Sequence, residues 1–306
     1  MFMKKIYSSL FLFFAIGAKA QIFTTMEPVN ISNSRSLQKN SVTGKNITVV
    51  EGALFEKLPV VSLDEFLKYI PGIEIQQRGP AGAQADIIIR GGTFQQVLVL
   101  IDGVKINDPI TGHFSGYMPV TPSEIERIEI IKGPAAAMYG SEAVGGIVNI
   151  ISKTAFSYKK VKKQRLSVGV TGGEFGLINA HAHLYGTGEK LNYSIGVLSN
   201  NASGQLLRSN NRGYFYNQTF SGSIVKQFNN QWQLFLQSSF DNRDFAAQNF
   251  YTPFLSDTAE EKVTTFWNHG QLKKNGNSSS EQIDAVYKNT FDNYAFNNSS
   301  TSNKNR

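Results

Sequence analysis

The strongest constraint on this chain is that its one long apolar stretch lies at the very start. Ile6 to Ile16 is apolar, follows Lys4 and Lys5, and leads into Ala18-Lys19-Ala20; after it no run of eighteen apolar residues occurs. A charged segment, a short apolar run and a small-x-small site form the pattern of a secretion signal, with cleavage expected before Gln21. The run is too short to cross a bilayer comfortably as a helix. If the remainder crosses a membrane, it must do so as a barrel of strands, because backbone polar groups in lipid have to be bonded within the structure.

Composition narrows the possibilities further. Of 306 residues, 41% are hydrophobic and 17% charged, which is not the balance of a charge-rich disordered chain. The formal charge is +7, from 30 Lys and Arg against 23 Asp and Glu. That is a weak pointer to nucleic acid, and secretion argues against such a partner. Cys is absent, which excludes disulfides, thiolate nucleophiles, Cys zinc sites and iron–sulfur clusters. Four His leave little room for a His-rich metal centre, and the abundance of Gly, Phe and Tyr suits strands, turns and aromatic surfaces.

Residues 21–45 are polar, without helical periodicity, and read as an exposed arm. Within it Met26-Glu27-Pro28-Val29-Asn30-Ile31 alternates imperfectly. It is either a plain disordered terminus or an extended segment able to pair with a partner's edge strand.

Residues 46–155 read as a small α+β domain with its own core. Ile47 to Val50 is a β-branched strand. Val61 to Ile70 reads as a helix with Leu63, Phe66, Leu67 and Ile70 on one face, Ser62 and Glu65 as a capping box, and Pro71-Gly72 as the stop. Strands are expected at Ile73 and Ile75, Asp86 to Arg90, Val97 to Ile101, Ile125 to Ile131 and Val148 to Ile151. Gly91-Gly92, Gly133-Pro134 and the tight turn Asp102-Gly103 end three of them. Ala135 to Tyr139 reads as a short helical turn, and Ala143 to Gly146 as a bend. The acids Asp86, Asp102, Glu124 and Glu126 are scattered, no nucleophile–His–acid set is present, and the glycines lack the Gly-Lys-Ser/Thr of a phosphate loop. An enzyme is not expected, and no cofactor.

From residue 161 onward, short segments alternate apolar and polar residues. They include Leu166, Val168 and Val170; Ala180, Ala182 and Leu184; Leu191, Tyr193, Ile195 and Val197; and Trp232, Leu234 and Leu236. Short turns and longer loops separate them. A membrane barrel shows this period, with apolar side chains toward lipid and polar ones toward the lumen, and so does a soluble β-sandwich. The basic run Lys159 to Arg165 reads as a solvated linker. His181 and His183 share a strand face, without an evident third ligand. After about Trp267 the alternation fades into Asn/Ser-rich sequence.

The compact domain resembles the plug domain of TonB-dependent outer-membrane receptors. The resemblance rests on five pieces in order: Ser62 to Ile75, Ile89-Arg90-Gly91, Val99 to Val104, Ile125 to Gly133, and Tyr139-Gly140 with Ala143 to Ile151. The segment Asn107 to His113 brings it nearest to the vitamin B12 receptor-like group. The resemblance implies a plug inside a 22-stranded barrel in the outer membrane. It implies uptake of a large scarce ligand, cobalamin first and a ferric siderophore or haem as the alternative, with TonB, ExbB and ExbD as partners and outer-membrane lipid around the wall.

The resemblance also assigns residue roles. Met26 to Ile31 takes the place of the TonB box. Arg90, Gly91, Asp102, Gly103, Gly133, Pro134, Tyr139, Gly140, Gly145 and Gly146 become structural plug residues. Asn107, Asp108, His113 and Tyr117 become ligand contacts. Asp241, Asp244 and Asp257, around the aromatic loop Phe245 to Phe254, become calcium candidates, the alternative being a solvated external loop. A barrel of that size needs roughly 220 residues in strands alone. Residues 161–306 supply about six to eight strands. The expectation is therefore the N-terminal part of a barrel, incomplete as it stands, or a plug-bearing fragment that transports nothing.

Overall fold

The computed structural model describes residues 46–79, 82–108, 112–134, 139–156, 162–207, 211–254, 257–276 and 279–296, with short strands at 30–31, 38–39 and 302–305. The secretion signal, residues 26–29, Ala135 to Met138 of the expected helical turn, and Lys159 and Lys160 lie outside the described residues. The strands are β1 (Asn30–Ile31), β2 (Gln38–Lys39), β3 (Asn46–Glu51), β4 (Ile73–Gln77), β5 (Ala85–Ile89), β6 (Val97–Ile101), β7 (Val104–Lys105), β8 (Ile125–Lys132) and β9 (Gly146–Ser152). They continue with β10 (Lys163–Gly172), β11 (Ile178–Thr187), β12 (Leu191–Ala202), β13 (Phe215–Gln227), β14 (Trp232–Ala246), β15 (Glu260–Asn275), β16 (Ser280–Ala295) and β17 (Ser302–Asn305). Two short helices are α1 (Leu63–Leu67) and α2 (Lys153–Phe156).

The N-terminal domain is built on a five-stranded mixed sheet in the order β3-β8-β9-β6-β7, with β6 and β9 parallel and the other pairs antiparallel. Its central strand β6 is a continuous apolar run because both of its faces are covered, as strands buried on two sides require, whereas β8 also carries the buried pair Arg127 and Glu129. Val97, Val99 and Ile101 of β6 join Ile128, Ile130, Val148 and Ile150 under Leu63, Phe66, Leu67 and Ile70. Leu98 and Leu100 point the other way, onto Ile131, Ala143 and Ile147. A separate hairpin, β4–β5, lies beside this sheet.

Two local details decide the geometry. Asp102 and Gly103 both have positive φ, 51° and 83°, which closes the β6–β7 hairpin through a two-residue turn whose twist matches that of the strands. A Cβ on Gly146 would lie 2.6 Å from the Ile131 carbonyl oxygen, so close strand packing excludes a side chain there.

The expected helix from Val61 to Ile70 is shorter in the structure. Regular helix covers only Leu63–Leu67, and the chain then turns to Ile70. The capping box is shifted: the Glu65 carboxylate accepts the Val61 N–H at 2.9 Å, and the Ser62 hydroxyl makes no cap bond. Glu65 thus ties down the turn one residue before the expected cap.

The second unit is an eight-stranded antiparallel sheet in strict sequence order, β10 to β17, curled against the first domain. It is open: β10 and β17 are its two edges and do not pair with each other. The alternation expected from residue 161 is present as a physical division of faces. In β13, Phe215, Asn217, Thr219, Ser221, Ser223 and Val225 are buried against the N-terminal domain, and Tyr216, Phe220 and Ile224 are exposed. Two expectations need correcting. Lys163 to Arg165 belongs to β10 and is not linker. Regular strand also persists past Trp267, through Asn275 and the whole of β16. The fading pattern reflects polar residues, Glu281, Asn289 and Asn293, on the face that β16 shares with Ile283, Tyr287 and Phe291. No helix among the described residues is long and apolar enough to cross a membrane, which says nothing of crossing by strands.

Candidate functional site: the seam between domain and wall, and its outer end

The seam is polar, and buried side chains of the sheet meet buried groups of the domain along its length. Glu124 is the most connected. Three residues after the cap Thr121 in the Thr121-Pro122-Ser123-Glu124 turn, its carboxylate reaches back to the Thr121 N–H at 2.9 Å and the Thr121 hydroxyl at 2.8 Å. From the sheet it also accepts the Ser221 hydroxyl, and the Ser194 hydroxyl at 3.4 Å. Ser194 is bonded in turn to His183 Nε2 at 2.8 Å. Four donors thus converge on one buried carboxylate and satisfy its oxygens.

Further bonds run the length of the seam. Ser223 donates to Thr154 at 2.9 Å, Asn179 to the Val61 carbonyl at 3.2 Å, Asn217 to the Gly82 carbonyl at 3.0 Å, and Lys288 to the Ile106 carbonyl at 2.6 Å. Burial lowers the Lys153 pKa, and its ammonium donates to the Ser123 carbonyl at 2.7 Å. Apolar packing also crosses the seam: Trp267 of β15 is fully buried in the core of the N-terminal domain.

The two ends of the sheet differ. Connections 203–214 and 247–259 are long, and turns 188–190, 228–231 and 276–279 at the opposite end are short. At the long-loop end an aromatic cluster joins both units: Ala83 and Tyr117 from the domain, with Phe215, Phe245, Ala247 and Phe250 from the sheet. A Cβ on Gly79 would meet the Phe250 ring at 2.7 Å, so the β4–β5 hairpin carries glycine where the loop lies against it. Arg78 donates to the Phe250 carbonyl at 3.4 Å and lies over the Tyr251 ring. Phe245 to Phe254 is therefore only partly a solvated loop: Phe245 and Phe250 are buried, and Tyr251 and Phe254 remain exposed.

The residues expected to touch ligand have unequal surroundings. Asn107 is buried and uses its amide on β6, accepting the Val99 N–H at 2.7 Å and donating to the Val97 carbonyl at 2.8 Å. Asp108 accepts the Gly112 N–H at 3.3 Å. His113 lies 3.2 Å from both Asp86 oxygens and stacks on Phe94. Tyr117 is buried beneath the Arg243 guanidinium, 4.3 Å away, and burial pushes its phenol well above the ordinary range. Of the four, His113 and Tyr117 lie on the stretch that reaches the long-loop end.

The calcium candidates are not gathered. Asp241 faces inward on Thr219 (2.6 Å) and Arg243 (2.7 Å). Asp244 is on the opposite face of β14, paired with Lys262 at 2.8 Å. Asp257 accepts from Asn249 N–H, Thr252 and Ala259 N–H within its own loop. Among the described residues no three acidic or His side chains form a metal-holding group.

The expected structural positions are at turns. Arg90 (φ 55°) and Gly91 (φ 68°) follow β5, and the exposed Arg90 guanidinium covers Gly133. Gly133 N–H bonds the Gly145 carbonyl, and Gly145 N–H the Gln96 carbonyl. Tyr139 and Gly140 precede the Ala143 to Gly146 bend, while Pro134 ends the described part of that strand exit. Asp102 Oδ1 accepts the Ser152 N–H at 2.8 Å, and desolvation lifts its pKa to about 6. Of Met26 to Ile31, only Asn30 and Ile31 are described, paired with Lys39 and Gln38.

Sequence reasoning missed Glu124, Lys288 and Trp267, and the buried pair Arg127–Glu129 (2.7 Å) that Asn149 joins at 3.4 Å. The Thr-x-x-Glu spacing was a usable signal for Glu124 as a cap. Its role toward the sheet depends on strand register, which no local pattern carries.

Residues 39–147 match the family model described as the TonB-dependent Receptor Plug Domain. Two curated relatives, both "Vitamin B12 transporter BtuB" of Vibrio vulnificus, are 38% identical over 138 residues and 39% over 132. These alignments cover 45% and 43% of this chain and 22% and 21% of the relatives, so the chain spans about a fifth of their length. Among solved structures, Pseudomonas aeruginosa FpvA bound to pyoverdines superposes with a TM-score of 0.70 at 14% identity, over 87% of this chain and 37% of that one. The siderophore receptor PirA of the same organism gives 0.59 at 23%, over 82% and 41%. The match to a receptor plug domain supports an outer-membrane location. The chain carries a TonB-dependent receptor plug domain followed by an open antiparallel wall; part of it is related to the vitamin B12 transporters, and it shares its fold with siderophore receptors.

Proposed function

We propose that this chain forms the plug and first wall strands of an energised outer-membrane receptor whose cargo is vitamin B12. The observation that carries the cargo is the 38% identity to vitamin B12 transporters, whereas the superposed siderophore receptors share fold at 14–23%. Exposed Tyr251 and Phe254, set over the buried cluster of Tyr117, Phe245 and Phe250, offer a large flat ligand an apolar landing surface where plug and loops meet. Residues 26–31 pair with TonB in the periplasm by strand addition, and TonB draws on ExbB and ExbD. Backbone hydrogen bonds dominate such pairing, so a proline that removes an N–H and fixes φ breaks it.

Cells lacking their own cobalamin receptor and expressing a full-length receptor that carries this plug and these wall strands test the reading with radiolabelled cobalamin and, separately, a ferric siderophore. Cobalamin binding and uptake are expected, and Val29→Pro or Ile31→Pro abolishes uptake while binding persists. Siderophore uptake without cobalamin binding contradicts the cargo. Cobalamin binding without uptake in the unaltered chain identifies a plug-bearing product that does not transport.

A further inference from the structure

The short-turn end of the wall carries an unbalanced charge that the transport reading does not use. Lys162, Lys163, Lys190, Lys226, Lys273 and Lys274 cluster there, against Glu189 and Glu281. Two of these lysines are on the outward face of the wall. Lys226 shares that face of β13 with Tyr216, Phe220 and Ile224, and Lys274 shares that face of β15 with Phe266 and Leu272. Each ammonium lies 5.6 Å from an aromatic ring centroid, Lys226 over Phe228 and Lys274 over Trp232. Tyr193 completes the row, its ring covering Gly186 on the neighbouring strand.

Neither ammonium makes an ion pair among the described residues. Glu281 is the register partner of Lys274 but forms no salt bridge with it. At the opposite end the outward charges do pair, Asp244 with Lys262 at 2.8 Å. A lysine whose stem lies on apolar surface and whose head rests on an aromatic ring is held at the boundary between hydrocarbon and water. That is the depth of a lipid phosphate.

We propose that this rim binds the headgroup of an anionic glycerophospholipid, with Lys226 and Lys274 as phosphate contacts presented by Phe228 and Trp232. The inference rests on the wall facing lipid, and is independent of cargo and of TonB. Basic side chains near an anionic surface each add attraction worth roughly a fivefold preference, so two give roughly a thirtyfold preference for an anionic over a zwitterionic headgroup.

The test is native mass spectrometry of the full chain in neutral detergent micelles, with equal amounts of phosphatidylglycerol and phosphatidylcholine of identical acyl chains. Retention of phosphatidylglycerol roughly thirtyfold above phosphatidylcholine is expected. The pair Lys226→Gln and Lys274→Gln should bring the ratio to parity, and Lys226→Arg with Lys274→Arg should keep it. Equal retention by the unaltered chain overturns the proposal and leaves the transport reading standing. So does a preference that survives the glutamine pair. Retention of neither lipid overturns it together with the membrane-facing wall.

Discussion

In the plug, β6 runs Val-Leu-Val-Leu-Ile with every side chain buried; in the wall, β13 buries Asn217, Thr219, Ser221 and Ser223 and exposes Tyr216, Phe220 and Ile224. Both arrangements follow from one rule applied with different surroundings. The plug sheet has protein on two faces, so apolar side chains on both exclude water. The wall has polar protein on one face and, as a barrel wall, hydrocarbon on the other, so hydrogen-bonding groups turn inward to partners such as Glu124. Burial in the wall is thus a property of polar residues, and exposure of Phe220 is not a defect.

The largest effect expected is in the plug. Phe66→Ala removes a fully buried ring from the core shared with Trp267 and should cost about 3–5 kcal/mol. Urea unfolding followed by tryptophan fluorescence reads it, because Trp267 reports on the same core. The complementary change in the wall is Phe220→Lys. It should cost about 2–4 kcal/mol in a bilayer, against about 0.5 kcal/mol or less for a surface site in water. Unfolding from vesicles compared with the parent chain distinguishes the two; a near-neutral result would return β13 to the soluble-sandwich class.

The plug's charged turn gives a pH dependence. Asp102 has a folded pKa of about 6, above the ordinary 3.8, because burial outweighs its hydrogen bond from Ser152. The folded state therefore prefers the neutral acid. Its contribution is full below about pH 4 and is lost as pH rises toward 6. Asp102→Asn keeps an uncharged side chain suited to the left-handed turn. It should raise stability by at most about 3 kcal/mol above pH 6, with the gain vanishing below pH 4. Unfolding midpoints across pH 3.5–8 check the sign. The smallest expected effect is at the seam: Ser221→Val removes a donor from buried Glu124 and should cost about 1–3 kcal/mol. A further Glu124→Gln change should then cost less than it does in the parent chain, since coupled groups are not additive.

Much of this was readable before any coordinates. The apolar runs of β6 and β9 and the Asp102-Gly103 turn announce themselves because each depends on neighbours along the chain, whereas β8 alternates like a half-buried strand and is buried on both faces, with Arg127 and Glu129 paired inside. The early wall strands are readable because period-two alternation is a local pattern. β16 is harder: Glu281, Asn289 and Asn293 interrupt its outward face, and pairing with β15 supplies the order its own pattern lacks. Site residues fared worse. Asn107 reads equally well as a ligand contact, and only the arrangement of β6 shows its amide bonded to Val97 and Val99. Glu124, Lys288 and Trp267 matter through partners at least 70 residues away, a separation beyond the reach of local pattern.

The division of the wall into a lipid face and a plug face is tested most directly by single-cysteine spin labelling along β13, which the absence of native cysteine leaves free of background. With the chain in lipid vesicles, labels at 216, 218, 220, 222 and 224 should collide with dissolved oxygen and be shielded from a water-soluble nickel chelate. Labels at 217, 219, 221 and 223 should be shielded from both. A period of two in oxygen accessibility is the predicted result. Equal access of the nickel chelate to positions 218–224 would contradict it, and the wall would then be a water-facing sheet.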